Sequence, residues 1–179
     1  GPIATARGLF EALYCTQSLK PQKVLGVGPG NAYETVCLIK NGFDAYTLDY
    51  HHPKIDILEG KQIVGVGQHL PFQDNTFGIV LCAECIEHVP EDEINLFMLE
   101  LKRVGTLFRF TVETEDDPPY HSHLCLHDIS WWKTKFTEWG YIGKIIQPKL
   151  YNVQVSKAVG TFGFSKDDGF RFEGYKNIS

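Results

Sequence analysis

Lys23–Val24–Leu25–Gly26–Val27–Gly28–Pro29–Gly30–Asn31 is the stretch that decides the fold. A basic residue leads into a short apolar run, which breaks into a glycine-rich turn. A helix-like segment, Ala32 to Lys40, follows and closes at Asn41–Gly42. The order is strand, tight turn, helix. Glycine lets a backbone approach a ligand closely, and a helix start presents N–H groups without intrahelical partners. A second strand, Phe43 to Leu48, ends in Asp49, 21 residues after Gly28. That separation suits a carboxylate receiving ribose hydroxyls at the tip of the second strand. A nucleoside-containing cofactor is the first expectation.

The dinucleotide fingerprint needs a third glycine three residues after the second. Counted from Gly26 and Gly28, that position is Asn31; counted from Gly28 and Gly30, it is Tyr33. Both registers fail, so a nicotinamide or flavin oxidoreductase is disfavoured. No Gly-Lys-Ser/Thr follows the turn, which removes the phosphate-loop reading.

Further along, Leu70–Pro71–Phe72–Gln73–Asp74–Asn75–Thr76–Phe77–Gly78–Ile79–Val80 leads into Glu84–Cys85–Ile86–Glu87–His88–Val89–Pro90. This resembles the fourth-strand region of class I S-adenosylmethionine-dependent methyltransferases. The nearest pattern is that of the type 11, ubiquinone-biosynthesis O-methyltransferase-like members, where "LPF-x-D-x-x-F-D-x-V" precedes "E-x-x-E-H-V". The resemblance runs over residues 20–145. It implies an α/β, Rossmann-like fold with a mostly parallel seven-stranded sheet, a C-terminal antiparallel hairpin and helices on both faces. It also implies S-adenosylmethionine as cofactor, S-adenosylhomocysteine as product, and methyl transfer to an oxygen or nitrogen of a small-molecule or sugar-like acceptor. By the same resemblance Gly26, Gly28, Pro29 and Gly30 wrap the methionine part and Asp49, with Tyr50 beside it, holds the ribose. Gln68, His69 and Leu70 then flank the adenine, and Ala83 lies near the sulfonium.

The departures from the family pattern are specific. Gly26 stands where an acid is usual, Ala32 where a third glycine is usual, Val66 where an acid often meets the adenine amino group, and Gly78 at the aspartate of "F-D-x-V". Asp49 is the family acid that remains. Two rivals follow: a degenerate, non-catalytic module that uses the fold for docking, and a metal-assisted RNA 2′-O-methyltransferase.

Composition narrows the classes. With 43% apolar residues, 22% charged residues and 179 residues in all, the chain suits one globular domain spanning 1–179. A net charge of −5 disfavours nucleic acid as partner and a basic membrane-binding patch. No apolar run is long enough to span a membrane, and no signal peptide is visible. Five cysteines, an odd count, fit reduced thiols in a cytoplasmic setting; Cys82–Cys85 reads as two small packed side chains rather than a zinc or redox pair. Gly1–Pro2 has the look of a protease scar, so a longer natural chain is expected. The expected partner is a small-molecule acceptor, with a homo-oligomer or a protein partner left open.

Periodicity places the elements. An entry helix over 4–19 turns Leu9, Leu13 and Tyr14 inward. Strands fall at 23–28, 44–49, 62–66, 78–83 and 106–113, and a helix at 31–41. Pro90 and the acids Glu91–Asp92–Glu93 start a helix with the stripe Ile94, Phe97, Met98, Leu101 and Val104, ended by Gly105. Ser130 caps a helix whose inner face is Trp132, Phe136 and Trp139. The final hairpin pairs Tyr141–Gln147 with residues 154–164, leaving Phe162, Phe164, Phe170, Phe172 and Tyr175 to cover a sheet edge or an oligomer contact.

Two constellations bear on chemistry. A helix beginning near Glu84 would align Glu84, Glu87 and His88 on one face, as a base or a carboxylate–histidine metal set. "E-x-x-E-H" resembles the metal-binding segment of small-RNA 3′-end 2′-O-methyltransferases, which need a further histidine such as His121, His123 or His127. The same segment recurs in metal-free family members as a helix start, and no metal is assigned. The second constellation is the histidine-rich loop 120–128, over the carboxyl ends of the strands. His88, His121 and His123 are the candidate catalytic residues near the acceptor. His51–His52 reads as a polar rim.

Overall fold

An unbroken apolar run, Phe77–Ala83, forms the central strand β4, buried on both faces as a parallel strand between helical layers must be. The computed structural model describes residues 2–52, 54–116, 118–146 and 169–177. In chain order the elements are α1 (Pro2–Ser18), β1 (Lys23–Val27), α2 (Tyr33–Lys40), β2 (Asp44–Asp49), a 3₁₀ turn (Asp56–Leu58) and β3 (Gln62–Val64). Then come β4, a second 3₁₀ turn (Ile86–His88), α3 (Ile94–Val104), β5 (Gly105–Val112), α4 (Ile129–Glu138), β6 (Tyr141–Ile146) and β7 (Phe170–Lys176).

The sheet has seven strands in the order β3-β2-β1-β4-β5-β7-β6. β1 pairs in parallel with β2 and β4, with Leu25 opposite both Tyr46 and Val80. β7 alone runs antiparallel, to β5 on one side and β6 on the other. This is the expected α/β sheet with its C-terminal antiparallel pair. Period-two alternation sorts side chains between two cores. Val24, Ala45, Ile79 and Leu81 face α1 and α2 with Ala12, Cys15 and Leu38. Leu25, Val27, Val80 and Cys82 face the other side, where α3 and α4 pack. On α3 the buried residues are Ile94, Phe97, Met98, Leu101 and Val104, the stripe read from the sequence.

Four expectations need correction. First, the seventh strand is Phe170–Lys176; residues 154–164, where the sequence placed it, lie outside the described residues. Phe170 and Phe172 alternate onto the core face rather than covering an edge. Second, α4 is capped by Asp128, whose carboxylate accepts the Trp131 N–H at 2.9 Å; Ser130 sits inside the first turn. Third, α1 does not bury Leu13 and Tyr14, which are 47% and 39% exposed. It buries Arg7, Glu11, Ala12 and Cys15 instead. The reason is Arg109 on β5, whose guanidinium bonds Glu11 and Glu173 and lies 3.6 Å from the Tyr14 ring centre. A buried guanidinium needs acceptors, so the helix turns its acid inward. Fourth, no helix begins at Glu84: that residue takes a left-handed φ of 52° and a short 3₁₀ turn follows.

Aromatic rings fill the space between α4 and the β5–β7 region. Phe136 stacks on Phe172 at 4.1 Å and lies edge-on to Tyr141, Trp139 and Phe170. The Tyr141 hydroxyl donates to the Met98 carbonyl at 2.6 Å, so its one polar atom is satisfied. Among the described residues no helix is long and apolar enough to cross a membrane. Phe136→Ala is expected to cost about 3–5 kcal/mol of stability through lost burial and a cavity the rings cannot fill. Denaturant unfolding with near-ultraviolet dichroism checks this.

Candidate functional site

The connection after β1 runs toward β2, whereas β4 lies on the opposite side of β1. Strand order reverses there, and a crevice opens at the carboxyl ends of β1 and β4. The glycine turn forms its floor. Gly28, at φ +66°, donates its N–H to the Leu48 carbonyl at 2.8 Å and so fastens the turn to β2. A Cβ on Gly28 would stand 2.4 Å from the Cys85 sulfur, so only glycine lets the turn meet the end of β4. The Gly30 N–H donates to the Asp49 carboxylate at 3.0 Å. Ala32, where the family pattern has glycine, holds φ at 60°, a left-handed strain of about 1–2 kcal/mol for an L residue.

These elements enclose a cavity of about 760 Å³, within the range of small-ligand sites. Gly28, Pro29, Gly30, Asp49, Tyr50, Gln68 and Ala83 line it, with His88 on the far edge beside Ser122. Gly26 does not: it lies within β1, and a Cβ there would come within 3.3 Å of the Thr35 hydroxyl. Neither His69 nor Leu70 is in the lining; His69 is exposed, and Leu70 is buried with its N–H on the Glu100 carboxylate at 2.9 Å. Val66 and Gly67 take that wall instead, with the Phe97 ring so close under Gly67 that a Cβ would sit 2.2 Å from it. His121 is exposed and bonds Asp116, outside the cavity. His123 lies behind His88, their ring centres 4.9 Å apart. His51 reaches the lining, while His52 bonds the Ile63 carbonyl at 2.6 Å.

Glu34 was not singled out by the sequence, although its place in the first turn of the helix after a glycine turn was a readable signal. Its carboxyl is buried at the cavity floor, with Oε1 lacking a hydrogen-bond partner among the described residues. That oxygen lies 4.0 Å from where a Gly26 Cβ would be. Burial, and then the nearby Asp49 charge, push the Glu34 carboxyl up to about 8.

At the β4 end, Glu84 accepts from Arg7 of α1 at 2.7 Å, and Arg7 also bonds Glu113 just past β5. Burial and the Glu84 charge push Glu113 to about 8, against the pull of Arg7. Glu87 points the other way, into the protein, fully buried. Burial first, and the Glu84 charge second, hold its carboxyl well above the usual carboxylate range. Its backbone carbonyl accepts from Leu124 and Cys125 at 2.8 and 3.0 Å, which fastens the histidine-rich loop to the turn after β4. Glu84 therefore parts from Glu87 and His88, and the three do not share a helix face.

Glu34 and Glu113 keep protons in the fold that the unfolded chain releases between about pH 4.5 and 8. Because the folded state binds more protons there, stability falls as pH rises through that window. Denaturant melts at pH 5, 6, 7 and 8 are expected to show this decline, with a shallower slope and greater stability at pH 8 in Glu34→Gln.

Residues 25–106 match the family model of a methyltransferase domain. No curated protein sequence matches the chain significantly. Among solved structures, the YcgJ protein of Bacillus subtilis superposes with a TM-score of 0.65 at 14% identity, over 97% of this chain and 99% of that one. A Burkholderia thailandensis 1,6-didemethyltoxoflavin N1-methyltransferase, solved with bound 1,6-didemethyltoxoflavin and S-adenosylhomocysteine, gives 0.69 at 13% identity, over 96% and 78%. A Haemonchus contortus phosphoethanolamine N-methyltransferase, with phosphomonomethylethanolamine and S-adenosylhomocysteine, gives 0.67 at 13% identity, over 95% and 53%. The chain thus shares the fold of these methyltransferases, and its residues 25–106 resemble a methyltransferase domain in sequence.

Proposed function

We propose that the chain binds S-adenosylmethionine in the cavity at the β1–β4 crevice and transfers its methyl group to an oxygen or nitrogen of a small-molecule acceptor. The observation that carries this reading is the joint placement of the Gly28–Gly30 turn, Asp49 and Ala83 around one cavity of suitable size. Asp49 already accepts the Gly30 N–H, so its carboxylate is oriented before a ligand arrives, with lone pairs left for ribose hydroxyls. Val66, Gly67 and the Phe97 ring offer an apolar slot for a flat base beside Gln68. The buried Glu34 carboxyl, with an oxygen lacking a partner, suits the ammonium of an amino-acid group.

Methyl transfer from a sulfonium needs alignment more than proton chemistry. A base matters only when the acceptor arrives protonated, and His88, on the cavity edge, is the residue in place for that role. His123 packs against it and His121 bonds Asp116 on the same loop, both outside the lining. In this reading residues 1–179 act as one domain, and the five free thiols fit a reducing, cytoplasmic setting.

Calorimetric titration with S-adenosylmethionine and S-adenosylhomocysteine tests the reading. Micromolar binding is expected, weakened at least tenfold in Asp49→Ala, the loss of one to two charge-assisted hydrogen bonds. An intact protein that binds neither nucleoside overturns the enzyme reading and favours a docking module built on the same fold.

A further inference from the structure

One carboxylate oxygen of Glu87 and one ring nitrogen each of His88 and His123 lie within 4.8 Å of one another. The Glu87 side chain is fully buried, and neither oxygen has a hydrogen-bond partner of good geometry among the described residues. A buried carboxyl met only by the backbone N–H groups of Glu87 and Glu113, at poor geometry, is costly and asks for an explanation. The two imidazoles are oriented for one. His88 Nδ1 stands 2.9 Å from the Ser122 carbonyl, and His123 Nδ1 bonds the Glu115 carbonyl. A carbonyl only accepts, so each Nδ1 carries the proton and each Nε2 the lone pair. That is how second-shell carbonyls set metal-ligating histidines. Glu84 takes no part, being turned to Arg7.

We propose that Glu87, His88 and His123 form a two-histidine, one-carboxylate site for a divalent first-row transition ion. Two imidazoles and one carboxylate favour zinc, cobalt, iron or manganese over magnesium or calcium, which demand mostly oxygen ligands. Ligand atoms held at about 2.1 Å from one ion stand no more than about 4.2 Å apart, a spacing comparable to that of this cluster. Backbone bonds from Leu124 and Cys125 to Glu87 already hold that loop against the turn. Three protein ligands leave coordination positions open. His88 and Ser122 line the cavity, so an oxygen donor in the cavity is the ligand that would complete the sphere. That last role rests on the methyl-transfer reading, and with an ion on Nε2 His88 would act through the ion rather than as the base; the ion site itself does not rest on that reading. "E-x-x-E-H" read as a helix start gave no metal here; the 3₁₀ turn and the arrival of His123 from a distant loop are what assemble the set.

The test is titration of tag-free full-length protein with cobalt(II) alone, read by visible absorption and calorimetry, without nucleoside or acceptor. One equivalent is expected, with d–d bands of a low-coordinate site. His123→Ala and Glu87→Gln should each weaken binding about a hundredfold or more. His127→Ala, whose ring bonds Glu91 outside the triad, should bind as the parent does. If Glu87→Gln fails to fold by circular dichroism, His123→Ala, on a loop, decides alone. Absence of stoichiometric cobalt binding by the parent, or binding unchanged in His123→Ala, overturns the site. Either result leaves the nucleoside titration unaffected, so failure here is distinct from failure of the methyl-transfer reading.

Discussion

The parallel pairing of β1 with β4 is the contact on which the remainder of this molecule hangs. Both strands are buried on both faces, so each must be apolar throughout and flanked by helices. Because the sheet extends to β2 on one side and β5 on the other, no connection crosses the carboxyl ends of this pair. The backbone groups and side chains at those ends are left facing a crevice. Gly28, Asp49 and Ala83 border the cavity because each ends, or immediately follows, a strand at that gap.

Charges buried around the crevice link it to the outer elements. α1 covers the sheet with an acid and a guanidinium facing inward, Glu11 toward Arg109 and Arg7 toward Glu84 and Glu113. Such pairs add less stability than an apolar interface of equal area, but they fix register, since a slipped helix would leave a charge unpaired in a medium that penalises it heavily. The Arg7 contacts also determine where the segment after β4 points. With Glu84 drawn toward α1, the chain takes a left-handed residue and a tight turn, sending Glu87 inward and His88 to the cavity edge.

Much of this was legible in the chain. The apolar run Phe77–Ala83, the stripe on α3 and the spacing from Gly28 to Asp49 are local patterns whose period reports which face is buried. They predict strands, helices and sheet class, and both ends of β1 to β6 to within two residues. The aromatic tail was misread because Phe170 and Phe172 could cover an edge or enter a core with equal local consistency; only pairing with β5 decides between them. α1 was misread because its inward polar residues are stabilised by Arg109, 98 residues away from Glu11.

What the sequence by itself determined is the α/β class, the glycine turn and the acid at the tip of β2, since each depends on steric and periodic rules that act within a few residues. What only the tertiary structure decided is which groups share a space. Glu34 brings a buried carboxyl from α2 to the cavity beside Gly26, Val66 and Gly67 take the wall assigned to His69 and Leu70, and His123 comes to Glu87 and His88 across 35 residues of chain. The physical reason is range. Backbone sterics and helix periodicity are local and repeat along the chain, whereas a buried charge or a ligand set is fixed by which side chains the packed core brings within a few ångströms.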